Sequence, residues 1–195
     1  EARDSKTQAI LGLRGKVLNT YGKELDEIIK NKEITDILTS LGCGIGDRFN
    51  LKNLRYDKVI LLADADPDGG HINVLIMTLF LMHLPEVIDA GKLYRAVPPF
   101  YKYKKGKQTL YLQDDAAMET YVKRYGQPKD ITRFKGLGEM NAEELWETTM
   151  NPENRTLVPL TTENIQETLQ LFGVLMGDSS KDRREFIMAH AGDEM

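Results

Sequence analysis

The chain has 195 residues, 41% hydrophobic and 29% charged, with a formal net charge of −4; it is long enough for one sizeable core and too evenly mixed for a collagen-like or disordered polymer. No stretch reaches the about 18 uninterrupted apolar residues of a bilayer span, no signal peptide opens the sequence, and a single cysteine, Cys43, excludes an internal disulfide and suits a reducing cytoplasm. The balance is not that of a uniformly basic nucleic-acid binder, yet the charges segregate, acids to 64–68 and 139–147 and bases to 102–107 and 129–135.

The sequence begins at Glu1 and runs directly into Arg3-Asp4-Ser5-Lys6, as expected of a piece of a longer protein. Residues 7–18 alternate apolar residues with Gly and bases, which reads as a solvated strand face: Leu11, Leu13 and Val17 lie to one side, Arg14 and Lys16 to the other. Those two bases, with Asn19, would also suit a phosphate backbone. From Lys23 to Leu41 the period is helical, with apolar faces at Leu25, Ile28, Ile29 and at Ile34, Ile37, Leu38, Leu41, and a break at Asn31-Lys32. Gly42-Cys43-Gly44-Ile45-Gly46 ends the second helix; lacking a following Lys-Ser/Thr, it is not a P-loop.

The next segment is the one around which the chain is organised. Val59 to Ala63 reads as a short buried strand that stops at three alternating carboxylates, Asp64, Asp66 and Asp68, before Gly69-Gly70-His71. Like charges so close resist burial, and a hard divalent cation such as magnesium is the natural neutraliser for oxygen ligands. An EF-hand loop would need a bidentate Glu at its twelfth position, where this chain has Leu75. A phosphatase with Asp64 as nucleophile and Asp66 as acid remains a rival, as does a plain solvated Asp/Gly turn. A helix is expected from about Gly70 to Ala90, kinked or ended by Pro85, then a strand over Leu93–Val97; strand, helix, strand predicts a parallel sheet.

After Pro98-Pro99-Phe100, Tyr101 to Tyr111 reads as a hairpin turning at Lys105-Gly106-Lys107. Its interleaved Lys and Tyr suit nucleic acid, or equally an edge strand guarded by lysines. A helix over Asp114–Tyr125 precedes a second Gly-bearing basic turn, Arg133 to Met140, and a helix over Asn141–Thr148 with Asn141 as N-cap and Glu144 three residues on. Leu145 and Trp146 are expected in the core. Two further helices, Thr162–Gly177 and Ser180–Ala191, form a tail whose stripe of Leu169, Phe172, Leu175 and Met176 packs on the domain or on a partner chain.

In this order, Gln8-Ala9-Ile10-Leu11, Leu13-Arg14-Gly15-Lys16-Val17-Leu18-Asn19, Leu41 to Gly46, Asp64-Ala65-Asp66-Pro67-Asp68-Gly69-Gly70-His71-Ile72, Pro98-Pro99-Phe100-Tyr101-Lys102, Phe134-Lys135-Gly136-Leu137-Gly138-Glu139-Met140, and Leu175-Met176-Gly177-Asp178 with Arg183-Arg184-Glu185-Phe186 resemble the toprim-bearing B-type subunit of bacterial type IIA topoisomerases. The resemblance covers nearly the whole chain. It implies an α/β toprim domain with a parallel, Rossmann-like sheet over residues 1–125, followed over 126–195 by the Phe-Lys-Gly-Leu-Gly turn and a helical tail that docks the cleavage subunit.

The activity implied is double-strand DNA cleavage and religation, with Mg2+ as the ion and Mn2+ or Ca2+ as substitutes, and a tyrosine of a gyrase A-type partner as nucleophile. Carried over by position, Asp64 and Asp66 are metal ligands and Asp68 a supporting carboxylate, while Arg14, Lys16, Asn19 and Lys135 face the DNA. The family's catalytic Glu, in a Glu-Gly-Asp-Ser block upstream of Arg3-Asp4, is not in these 195 residues, nor is the ATP-binding domain, so this piece alone is expected to be inactive. The assembled enzyme is expected to be a cytoplasmic, nucleoid-associated heterotetramer with no membrane contact. Beside it stand two rivals: a DNA-binding or assembly module without catalysis, and the aspartate phosphatase.

Overall fold

A computed structural model describes residues 2–64 and 66–191; Glu1, which takes no role in the resemblance, Ala65 and residues 192–195 lie outside the described residues. In chain order the helices are α1 Leu25–Ile28, α2 Lys32–Leu41, α3 Pro67–His83, α4 Pro85–Asp89, α5 Asp115–Tyr125, α6 Ala142–Leu145, α7 Ile165–Met176 and α8 Ser180–His190. The strands are β1 Val59–Leu61, β2 Leu93–Ala96, β3 Tyr101–Lys105, β4 Gln108–Leu112, β5 Thr132–Arg133 and β6 Leu157–Pro159. They fall into two compact units. One takes the residues up to Gly12 with Lys58–Asn73 and Leu93–Pro159; the other takes Leu13–Asp57, Val74–Lys92 and the chain from Leu160 onward.

The first unit holds all the strands. β1 and β2 pair in parallel, Val59 opposite Leu93 and Leu61 opposite Arg95, as two strands joined by a helical crossover must. The sheet is mixed rather than purely parallel, because β6 adds antiparallel to β2 with Ala96 opposite Leu157. β3 and β4 form the expected hairpin about Gly106, and β5 joins β3 through only two residue pairs. Leu61, Leu93, Ala96, Tyr103, Phe134 and Met140 are buried in this unit. Leu145 and Trp146, expected in the core, are only half-buried.

The solvated strand expected over residues 7–18 does not form. Among the described residues the segment has no ladder partner; Leu11 is exposed and Val17 buried, and Gly15 sits at φ +102°, a left-handed geometry that interrupts extended chain. The central helix starts earlier than the apolar period indicates, at Pro67, and ends at His83. Pro85 then opens α4 at its first turn, because proline lacks the N–H that a continuous helix would need there.

The second unit is helical and carries most of the buried apolar residues: Ile28, Ile34, Leu79, Phe80, Leu84 and Val87 are at most 1% exposed. Asn31 caps α2 by accepting the Ile34 N–H at 3.0 Å. Gly42 ends that helix at φ +75°, and a Cβ there would meet Arg55 Nε at 2.7 Å. In the tail stripe Phe172 and Met176 are buried, Leu175 is half-buried and Leu169 is exposed. α8 has no buried residue, and its Arg183 guanidinium donates to the Gly177 carbonyl at 3.0 and 3.3 Å.

Candidate metal centre

The three aspartates leave the end of β1 and enter α3. Asp66 accepts the Gly69 N–H at 2.7 Å on Oδ1, the bond of an N-cap with proline next to it, so one oxygen orients the carboxylate while the group keeps acceptor capacity toward solvent. Asp68 lies in the exposed first turn of α3. Gly69 is required by close approach: a Cβ there would strike the Asp64 carbonyl oxygen and lie 3.0 Å from its carbonyl carbon and amide nitrogen.

Asp64 is held from far along the chain. Its Oδ1 accepts the Leu137 N–H at 2.7 Å, across 73 residues, and a Cβ on Gly136 would lie 2.8 Å from its Cγ and 3.0 Å from both oxygens. The Phe-Lys-Gly-Leu-Gly turn is therefore a cradle for this carboxylate, and only a residue without a side chain lets the two meet. The turn is fixed at both ends, by buried Phe134, whose N–H donates to the Phe100 carbonyl at 2.8 Å, and by buried Met140. Glu139 Oε2 accepts the Lys135 N–H at 2.9 Å, leaving the Lys135 side chain exposed on the turn.

The hairpin braces the turn through α6. Lys102 Nζ donates to Glu144 Oε1 at 2.5 Å and stands 5.4 Å from the Phe134 ring centroid. Asn141 and Glu144 form a reciprocal capping box. Burial raises the Glu144 carboxyl, but the Lys102 ammonium and the Asn141 N–H outweigh it and hold the group below its usual value of 4.5. Burial, with Glu147 and Glu144 beside it, pushes the Tyr111 phenol up to about 12, so Tyr111 stays a neutral donor.

Two of the anticipated residues fit a divalent ion. Asp64 and Asp66 are exposed hard-oxygen donors with backbone amides setting their orientation. No group of three or more acidic, His or Cys side chains among the described residues converges into a closed cage. An open site of one or two carboxylates, completed by water and substrate phosphates, is how magnesium is usually held.

The anticipated DNA-facing residues divide between the units. Lys135 shares the first with the aspartates; Arg14, Lys16 and Asn19 belong to the second. Arg14 and Lys16 are exposed, whereas Asn19 is half-buried and donates from Nδ2 to the Met176 carbonyl at 2.8 Å, so its amide ties the tail helix down. Sequence reasoning missed Gly136 and Leu137 as the holders of Asp64, since no local signal marks a contact across 73 residues.

Three family models match successive parts of the chain: the Toprim domain over residues 1–97, "GyrB, hook" over 99–123, and "DNA gyrase B subunit, carboxyl terminus" over 127–188. The B subunit of DNA gyrase from Thermotoga maritima is 45% identical over 192 residues, 98% of this chain and 30% of that protein. The Staphylococcus aureus gyrase B subunit is 47% identical over 191 residues, 97% of this chain and 30% of that protein. The B subunit of DNA topoisomerase 4 from Streptococcus pneumoniae is 44% identical over 191 residues, 96% of this chain and 30% of that protein. The chain thus spans about 30% of the length of the curated relatives it matches. With the acidic loop, its glycine cradle and these successive matches, the chain belongs to the B-type family of type IIA DNA topoisomerase subunits, in its toprim and carboxyl-terminal region.

Proposed function

We propose that this chain supplies the divalent-metal ligands and DNA contacts for double-strand DNA cleavage and religation by a type IIA topoisomerase. The observation that carries the reading is the Asp64–Leu137 hydrogen bond, which joins the acidic loop to the basic turn bearing Lys135. Residues 1–125 act as the toprim part, and residues 126–195 as the turn and tail that dock an A-type subunit carrying the nucleophilic tyrosine. Magnesium is the working ion and double-stranded DNA the substrate, in a heterotetramer associated with the nucleoid.

In this mechanism Asp64 and Asp66 would hold the ion, and the Leu137 and Gly69 N–H groups orient the two carboxylates. When bound, the ion would supply positive charge to neutralise the phosphate and the developing 3′ oxygen. Lys135 holds the DNA backbone close to the cut, and Arg14 and Lys16 hold it elsewhere as point charges on phosphate. The partner's tyrosine oxygen forms a bond to phosphorus as the bond to the 3′ oxygen breaks, and religation reverses the exchange.

The test grafts these 195 residues into the Staphylococcus aureus gyrase B subunit in place of the matching segment, with an A-type subunit present. The graft is expected to linearise supercoiled plasmid when cleavage is trapped by denaturant, and Asp64→Ala to abolish the linear product. Asp66→Asn keeps the helix cap, since Asn caps as well as Asp, yet removes a ligand charge, so loss of cleavage in a variant with unchanged melting is also expected. A folded graft that cleaves nothing, or cleaves equally well without Asp64, overturns the reading.

A further inference from the structure

The tip of the β3–β4 hairpin and the C-terminal end of α5 carry a charge arrangement that the cleavage machinery does not use. Tyr103 of β3 packs on Tyr121 of α5 with ring centroids 4.8 Å apart, and Tyr121 on Tyr125 at 5.1 Å, so an aromatic row fixes the hairpin tip beside the end of the helix. At the outer end of that row the Tyr125 ring is 59% exposed and carries two cations. Lys105 Nζ stands 5.4 Å from its centroid and Arg124 Cζ 5.2 Å. Each alone gains about 0.5–1 kcal/mol from an exposed ring, but two on one ring repel at a range comparable with the Debye length of about 10 Å in 0.1 M salt. Lys104 and Lys107, both exposed on the same hairpin, add to that field.

No ion pair among the described residues neutralises it. Among the described residues, none of Lys104, Lys105, Lys107 and Arg124 pairs with a carboxylate. The acids of this region are committed elsewhere: Asp114 caps α5, Asp115 accepts from the Tyr101 hydroxyl and faces Arg133, and Glu119 pairs with Lys123 at 3.5 Å. Attraction to a helix C-terminus accounts for Arg124 alone, and protection of a strand edge accounts for Lys104 alone. Neither explains Lys105 and Arg124 gathered at one ring in a chain of net charge −4.

We propose that Lys105 and Arg124 around Tyr125, with Lys104 and Lys107 at the same hairpin tip, form a second contact surface for the phosphate backbone of double-stranded DNA, holding a stretch of duplex outside the cut. This rests on the reading of the chain as part of a DNA-cleaving enzyme. Duplex fits better than an acidic peptide. Apart from Tyr125 no large apolar side chain of the hairpin or α5 is exposed, so a peptide would find charge without a hydrophobic anchor, whereas a phosphate backbone needs only charge.

The test measures binding of the 195-residue chain to a fluorescent 30-base-pair duplex by anisotropy from 50 to 200 mM KCl. Lys105→Gln with Arg124→Gln is expected to weaken binding to all sequences alike and to lower the slope of log K against log salt by about 0.9 per lost phosphate contact, so about 1.8. The charge-keeping pair Lys105→Arg with Arg124→Lys is expected to keep the wild-type slope, which separates lost charge from lost structure. A Lys135→Ala chain is measured alongside. If that variant loses slope and the Gln pair does not, the second surface is wrong while the cleavage reading stands. If the wild-type chain binds no duplex even at 50 mM, the second surface falls, while the cleavage reading is decided by the graft. Loss of fluorescent polyglutamate binding in the Gln pair, with duplex affinity unchanged, would assign the surface to an acidic protein segment and overturn the inference.

Discussion

At Asp64 the sequence reveals half of the arrangement. Three carboxylates alternating at a strand end are legible as a candidate metal loop, because charge repulsion and hard-ligand chemistry act within five residues. The cradle is not legible, because the partners of Asp64 are an amide and a missing side chain 73 residues on, and backbone amides leave no mark on the residue type. The contact makes a sharp prediction. Gly136 has φ −165°, an extended conformation open to any residue, so Gly136→Ala should barely alter stability. Its Cβ, however, would sit 2.8 Å from Asp64 Cγ and force the carboxylate aside. Mn2+ affinity measured by electron paramagnetic resonance should weaken by about 10- to 100-fold, the usual effect of losing a group that orients a ligand. Gly138→Ala, with nothing within 4 Å of the new Cβ, should bind as the parent does. Equal affinity in both variants would mean that the turn does not position Asp64.

Among the elements, those with strong period or punctuation are read correctly from sequence: α2 behind the break at Asn31-Lys32, the β3–β4 hairpin about Gly106, α5 over Asp115–Tyr125, and the parallel β1–β2 pair. β5 and β6 escape because two or three residues are too few to show alternation, and β6 ends on Pro159, which reads as a break. The expected helix over Asn141–Thr148 begins at the capping box but relaxes after Leu145 into a π-helical turn, Trp146–Met150; such a turn depends on packing rather than on local propensity. The box and its Lys102 brace give a pH dependence of fixed sign. The folded pKa of Glu144 is held below its ordinary 4.5. Its contribution is therefore complete above the unfolded pKa and drains away as pH falls through the lowered folded value. Thermal melts from pH 7 to pH 3 should show the parent losing more stability than Glu144→Gln, with the variant the less stable of the two at pH 7. Parallel curves would show that the Lys102–Glu144 pair contributes nothing.

Across the whole molecule, burial is unevenly shared, and stability should follow it. α3 contributes Leu75, Ile76, Leu79, Phe80 and Leu81 to the core, and α7 contributes Phe172 and Met176. α8 contributes none, and its Ile187 and Met188 are 57% and 71% exposed. A helix of 11 residues is below the about 12–15 at which an isolated helix becomes even marginal in water. α8 is therefore held by the Ser179 cap, worth about 1 kcal/mol, by the charged Arg183–Gly177 bonds, worth about 1.5–3 kcal/mol, and by half-buried Phe186. Local opening should take far less free energy than global unfolding. Hydrogen exchange by mass spectrometry should show the amides of 180–190 deuterated within seconds in the chain alone, and those of 75–83 protected to the level of global unfolding. Adding the A-type subunit should slow exchange in 180–190 selectively, because the exposed Ile187 and Met188 are the surface that the proposed docking would cover. If α8 is as protected as α3 without a partner, its stability comes from contacts other than these caps. If it stays unprotected with the partner bound, docking does not use this helix.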